Sequence, residues 1–226
     1  MTRMLQSAML MGATGLVGNA ALAPLAEHCH KLWLPGRRLP DNAPANSEFI
    51  ETDFADFSKL DQKVDVAPEV LCIAFGTTIR QAGSQQRFRE VDYGYPLALA
   101  QWAVAKGTRH ICLISAVGAN AQSRVFYNRV KGELEEALQS LPLSRLHILR
   151  PSLLLGPHGH RPMEAISQKL MGPIAPLFPA KVRPIKASQL AQTMVACAVS
   201  SDNAAGEAVT SILEGKPLFS QSRDFQ

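Results

Sequence analysis

Tyr127 and Lys131 are four residues apart, a spacing that puts both on one face of a helix. A phenol ordinarily titrates near ~10, too high for proton transfer at neutral pH. A neighbouring ammonium favours the phenolate and moves the group toward the range useful for general acid–base work. The pair therefore suits protonating a carbonyl oxygen, or taking the proton from an alcohol. Taken alone, the pattern reads equally as a half-buried Tyr beside a solvated Lys. Ser115, at the end of an apolar run, adds a hydroxyl that could hold a substrate carbonyl, and Ser123 is a second candidate.

The other chemistry-bearing stretch is Gly12-Ala13-Thr14-Gly15-Leu16-Val17-Gly18, which follows an apolar run and opens a helical pattern. Glycines at such positions allow a tight turn, close backbone approach to a pyrophosphate and close helix–strand packing. The helix N-terminus then presents free N–H groups to the phosphates. The spacing is GxxGxxG rather than GxGxxG. After the second apolar run the chain reads Leu34-Pro35-Gly36-Arg37-Arg38, with no carboxylate to accept from a ribose 2′-hydroxyl. A guanidinium there pairs with a 2′-phosphate through two parallel hydrogen bonds. This selects NADP(H) over NAD(H), with Arg37 as the main contact and Arg38 behind it. The alternative is two solvated loop arginines.

Ligands of parallel sheets bind beyond the carboxyl ends of the strands. That places Asp53 and Phe54, then Phe75, Gly76, Thr77 and Thr78, along the same groove. Asp53 suits an adenine amino group, and suits a turn equally well.

These residues need a scaffold, and the hydrophobic pattern supplies one. Short apolar runs at 8–11, 31–34, 49–51, 70–75, 110–114, 145–149 and 208–212 read as strands. Between them, 16–28, 57–63, 87–106, 124–141 and 187–200 read as helices. The alternation predicts an α/β, doubly wound, mostly parallel sheet with helices on both faces. At 226 residues the chain fits one domain, 1–226. A Pro/Gly-rich excursion at 156–186, with a weak helix at 163–170, reads as a substrate lid or as a long surface loop.

A net charge of +4 with scattered basic residues gives no nucleic-acid footprint. No run reaches the ~20 apolar residues that would cross a membrane. Cys29, Cys72, Cys112 and Cys197 form no CxxC pair, so they read as small buried hydrophobes in a reducing cytoplasm. His158 and His160 share an HxH spacing without a third ligand nearby, so no metal site is expected. Trp33 and Trp102 lie in apolar patterns and read as core residues.

In combination the segments resemble the short-chain dehydrogenase/reductase superfamily, in its atypical branch near the oxidoreductases named for interaction with the HIV Tat protein. The likeness rests on the glycine turn, Leu34 to Arg38, Ala74 to Thr78, Val91 to Tyr95, His110 to Gly118, Tyr127 to Glu135 and Leu149 to Gly156. It implies a Rossmann-like NAD(P)-binding fold in which Tyr127 transfers the proton and Ser115 positions the substrate. It also implies that Lys131 binds the nicotinamide ribose, that Pro151, Leu153 and Leu154 lie beside the nicotinamide, and that a homodimer could form through the two long middle helices. Two departures stand out: Asp92 occupies the place of an Asn that often serves a proton relay, and Ser115 is followed by Ala116 rather than a second Ser. The expected activity is NADP(H)-dependent hydride transfer with a small carbonyl or alcohol. A protein that senses NADP(H) on the same fold is the alternative from another class. Epimerase or dehydratase chemistry on a sugar nucleotide is a third reading, for which the short C-terminal part leaves little room.

Overall fold

Along β1 (Leu5–Met11), Ala8 and Leu10 enter one hydrophobic core while Met9 and Met11 enter another. The same alternation runs through β4 (Val70–Ile73), where Val70 and Cys72 face the first core and Leu71 and Ile73 the second. A strand that is apolar at successive residues must be covered on both faces, and it reads as a continuous apolar run. This is what makes the sheet central and the helices peripheral. In the computed structural model, residues 3–155, 183–200 and 208–220 are described.

The first half continues from β1 through α1 (Leu16–Ala26), β2 (Cys29–Gly36), β3 (Ser47–Glu51) and α2 (Ser58–Lys63) to β4. After β4 come the short helices α3 (Ile79–Ala82) and α4 (Gln85–Arg89), a π-helical turn (Glu90–Gly94) and α5 (Tyr95–Lys106). The second half holds β5 (His110–Ile114), α6 (Phe126–Gln139), β6 (Arg145–Arg150), β7 (Leu154–Leu155), β8 (Ile185–Lys186), α7 (Ala187–Val199), β9 (Val209–Glu214) and α8 (Lys216–Ser220). Seven strands form one sheet in the order β3-β2-β1-β4-β5-β6-β9, every neighbouring pair parallel. β7 and β8 pair separately.

The strand order reverses between β1 and β4, and the crevice outside the carboxyl ends of those two strands is where such sheets take ligands. The expected α/β, doubly wound class is therefore the observed one. α1 and α7 pack together against the first core, while α5 and α6 cover the second.

Two expectations are corrected. The helix expected at 87–106 is split, because the π turn inserts an extra residue between α4 and α5. The strand expected at 70–75 ends at Ile73, after which Phe75 and Gly76 turn over the end of β1. A short helix at Ile79–Ala82, capped by the Thr78 hydroxyl accepting from the Gln81 N–H at 3.2 Å, was not expected. The helix expected at 163–170, most of the 156–186 excursion and both His158 and His160 lie outside the described residues.

All four cysteines are buried and outside any disulfide, and burial pushes the Cys29 thiol up to about 11 and the Cys197 thiol up to about 12. Trp33 is a core residue, and half-buried Trp102 donates its indole N–H to Asp61 at 3.1 Å. Among the described residues no helix is long and apolar enough to cross a membrane, and no group of three or more His, Cys, Asp or Glu side chains is gathered to hold a metal ion.

Candidate active site

Gly12 directly follows β1 with φ +93°, a backbone conformation that side chains disfavour. A Cβ there would fall 2.4 Å from the Ala74 carbonyl oxygen, so the turn passes over the end of β4 with no room for a side chain. The Gly15 N–H donates to the Gly12 carbonyl at 2.9 Å, closing the turn. At Gly18 a Cβ would lie 2.1 Å from the same carbonyl oxygen, which brings α1 tight against the strand end. Among the described residues no side chain caps α1, which leaves its first N–H groups without a side-chain acceptor. A bare backbone cradle with outward N–H groups fits a pyrophosphate.

The groove beyond is walled by Thr14, Leu34, Gly36, Arg37, Arg38 and Phe75. Arg37 and Arg38 are both exposed, and among the described residues neither has a hydrogen-bond or ion-pair partner. Asp53 uses its carboxylate in a local turn, accepting from the Ala55 N–H at 2.9 Å. Phe54 is buried at φ +67°, with its ring centroid 5.3 Å from that of Phe75 and 5.8 Å from that of Tyr95. The Thr52 hydroxyl holds that unusual backbone by accepting from the Phe54 N–H at 3.0 Å.

Phe75 and Gly76 join this groove to the Tyr/Lys end. Gly76 is exposed, and a Cβ on it would fall 2.9 Å from Asp92 Oδ1 and 3.4 Å from Lys131 Nζ. Beneath it, Lys131 Nζ and Asp92 Oδ1 form an ion pair at 2.7 Å, their side chains 6% and 1% exposed. Asp92 Oδ2 accepts from the Thr77 N–H at 2.8 Å. Burial by itself would lower the pKa of the Lys131 ammonium; the charges of Asp92, Tyr127 and Glu135 outweigh it and hold the group above its ordinary value. Tyr127, half-buried one turn earlier on α6, packs its ring 5.6 Å from Phe88 of α4. Among the described residues its hydroxyl has no hydrogen-bond partner.

Ser115 differs from its expected role. Its hydroxyl is buried and donates to Glu135 Oε1, so its proton is already committed inside the protein. The same carboxylate accepts from Arg150 Nε at 3.0 Å and from a terminal Arg150 nitrogen at 2.5 Å. Arg150 also lies 3.7 Å from Glu214 at the end of β9. Glu135 and Arg150 were not anticipated. A carboxylate four residues after Lys131, on the face that also buries Val130, Leu134 and Leu138, is the signal that could have found the first.

Beyond β6, the Pro151 carbonyl accepts from the Val117 N–H at 2.9 Å and the Leu153 carbonyl from the Ile185 N–H at 3.0 Å. Leu154 joins β7. Two of the carbonyls expected beside the nicotinamide are thus occupied by the protein's own backbone. Ser123 instead caps the approach to α6, its hydroxyl accepting from the Val125 N–H at 3.1 Å.

The HIM1 family model matches residues 44–178. The mitochondrial protein FMP52 of Lodderomyces elongisporus is 35% identical over 163 residues, 68% of this chain and 68% of the relative. The chain belongs to the HIM1 family. A second relative of this HIM1 member, the mitochondrial protein fmp52 of Aspergillus fumigatus, is 34% identical over 171 residues, 72% of this chain and 73% of its own. Neither name carries a reaction. Both relatives are named as mitochondrial, which overturns the expectation of a cytoplasmic protein. Free thiols indicate a reducing environment, and that property does not distinguish one reducing compartment from another.

Among solved structures, MoeE5 in complex with UDP-glucose and NAD superposes with a TM-score of 0.69 at 11% identity, covering 97% of this chain and 82% of that one. A UDP-glucose 4-epimerase gives 0.69 at 14% identity, with 97% and 80% covered. A short chain dehydrogenase family protein from Francisella tularensis gives 0.67 at 12%, with 94% and 98% covered. At these identities the likeness establishes the fold, that of Rossmann-like dehydrogenases and epimerases.

Proposed function

We propose that this HIM1-family chain is an NADP(H)-dependent oxidoreductase that moves a hydride between nicotinamide and a small carbonyl or alcohol. The observation that carries the reading is that Phe75 and Gly76 connect two places of different chemistry. One holds the glycine cradle with Arg37 and Arg38, which among the described residues have no ion-pair partner; the other holds Tyr127, one turn from the buried Lys131 ammonium. The likeness to the oxidoreductases near the HIV Tat-interacting proteins supports the same assignment.

In this reading the backbone of Gly12 to Gly18 receives the pyrophosphate, and Arg37 with Arg38 receives the 2′-phosphate. Phe54, Phe75 and the Asp53 turn border the adenosine, while Thr77, Thr78 and the Pro151 to Leu154 segment border the nicotinamide half. When bound, the cofactor supplies or accepts the hydride. Tyr127 Oη gives its proton to the carbonyl oxygen during reduction and takes it back in oxidation. The Lys131 ammonium faces the phenolate that remains and stabilises its charge. Ser115 works behind the site, where it fixes Glu135, and Tyr127 is left to hold the carbonyl.

That last feature also favours a second reading, binding of NADP(H) without turnover, because the Ser115 hydroxyl is committed to Glu135. The two share the cofactor, so the cofactor assignment is tested first. Replacing Arg37 with Ala should weaken NADPH binding about tenfold or more and change NADH binding less than about twofold, followed by cofactor fluorescence. Equal losses for both nucleotides would remove the NADP(H) assignment.

A further inference from the structure

The Lys131 ammonium needs a reason to be where it is. A buried lysine without a counter-charge releases its proton, because the interior penalises the charged form. Here the side chain is 6% exposed and the ammonium is nonetheless held protonated, with Asp92 Oδ1 at 2.7 Å. The charged and titratable groups acting on it are Asp92 from the π turn, and Tyr127 and Glu135 from its own helix. Glu135 is already matched by Arg150 from β6 and by the Ser115 hydroxyl after β5. Asp92 is therefore the carboxylate left to balance Lys131.

Asp92 also has a second bond. Oδ2 accepts from the Thr77 N–H at 2.8 Å, in the loop that leaves β4. One carboxylate thus ties α6 to that loop. Gly76 lies directly over the pair, where any Cβ would fall 2.9 Å from Asp92 Oδ1. The residue reaches this point because the π turn Glu90–Gly94 inserts an extra residue between α4 and α5 and changes the rotation of the helix there.

We propose that Asp92 is a positioning residue for the Lys131 ammonium, fixing it beneath Gly76 and joining it to the Thr77 loop. The function of that placement rests on the cofactor reading above, in which Lys131 meets the nicotinamide ribose. In place of a neutral relay amide, the site has an anion that sets the charge and location of its lysine. Two contributions are separable, since an amide keeps an acceptor for the Thr77 N–H and loses the charge.

The test is a double-mutant cycle on the full chain with Asp92→Asn, Lys131→Met and both together, read by NADPH affinity and thermal midpoint. Each single change should weaken NADPH about tenfold, and the double should be no weaker than Lys131→Met alone. Lys131→Met should lower the thermal midpoint by stranding the buried carboxylate, and adding Asp92→Asn should restore it. In protein carrying ¹³C-labelled lysine, Asp92→Asn should move the Lys131 titration downward by at least one pH unit, about a tenfold change in proton affinity. An unmoved titration, or affinity losses that simply multiply, would overturn the proposal. If Asp92→Asn does not fold, Gly76→Ala must lower the same titration by pushing a methyl into the pair; an unchanged value there rejects it. Should wild-type protein fail to bind NADPH while the titration shifts as expected, the cofactor reading falls and the ion-pair assignment stands.

Discussion

Lys131 and Glu135 lie one turn apart on α6, both buried and opposite in charge, each matched by a residue from a different part of the chain. The first of them was legible in the sequence because its companion, Tyr127, is close by in the chain. The second was not, since Arg150 arrives from β6 and Ser115 from the end of β5. Asp92 departs from a familiar amide, and its ion pair with Lys131 needs the π turn to bring it inward. Ser115 illustrates the converse. Its position after a strand was read correctly, while the direction of its hydroxyl depended on a carboxylate twenty residues away. Breaking a buried pair from one side is costly, because the remaining charge stays in the interior. Arg150→Met should therefore lower stability by about 3–5 kcal/mol, and Glu135→Leu added to it should recover most of that loss. Chemical denaturation midpoints of the two proteins decide the matter; a near-neutral Arg150→Met would show that Glu135 is not held as described.

The elements divide by how local their causes are. Strands and long helices follow from hydrophobic period, and β5 was read to the residue. The split of the helix expected at 87–106 was not visible, because a π turn leaves the periodicity on either side nearly intact. The glycine turn lies between these cases: its composition was plain, and its necessity is geometric. Gly18 has no space for a methyl, with a Cβ expected 2.1 Å from the Gly12 carbonyl oxygen. Gly94, in contrast, is helical at φ −61° with nothing within 4 Å of a Cβ. Gly18→Ala should cost about 1–3 kcal/mol and impair nucleotide binding, since α1 must move away from β1. Gly94→Ala should be neutral, or stabilising by about 0.4–1 kcal/mol, because Ala restricts the unfolded chain and fits the helix. Thermal midpoints that fall equally for both would contradict the packing described for the turn.

At the scale of the whole molecule, the doubly wound, mostly parallel class was readable because strand and helix patterns alternate along the chain, while the strand order was not. That topology places Gly12, Gly76 and Tyr127 at one end of the sheet although they are spread over half the chain. Compartment was not readable, because buried thiols report a reducing environment rather than an address, and the named mitochondrial relatives corrected the expectation. Membership of the HIM1 family and the Rossmann-like fold leave the reaction itself to chemistry at Tyr127. The most direct measurement is NADPH-dependent turnover across a panel of small aldehydes and ketones, comparing the full chain with its Tyr127→Phe variant. The account predicts carbonyl reduction by the wild type and a loss in kcat of about a hundredfold or more in the variant, with NADPH affinity little changed. Full turnover without the Tyr127 hydroxyl, or NADPH binding by the wild type with no reduction of any carbonyl in the panel, would contradict it.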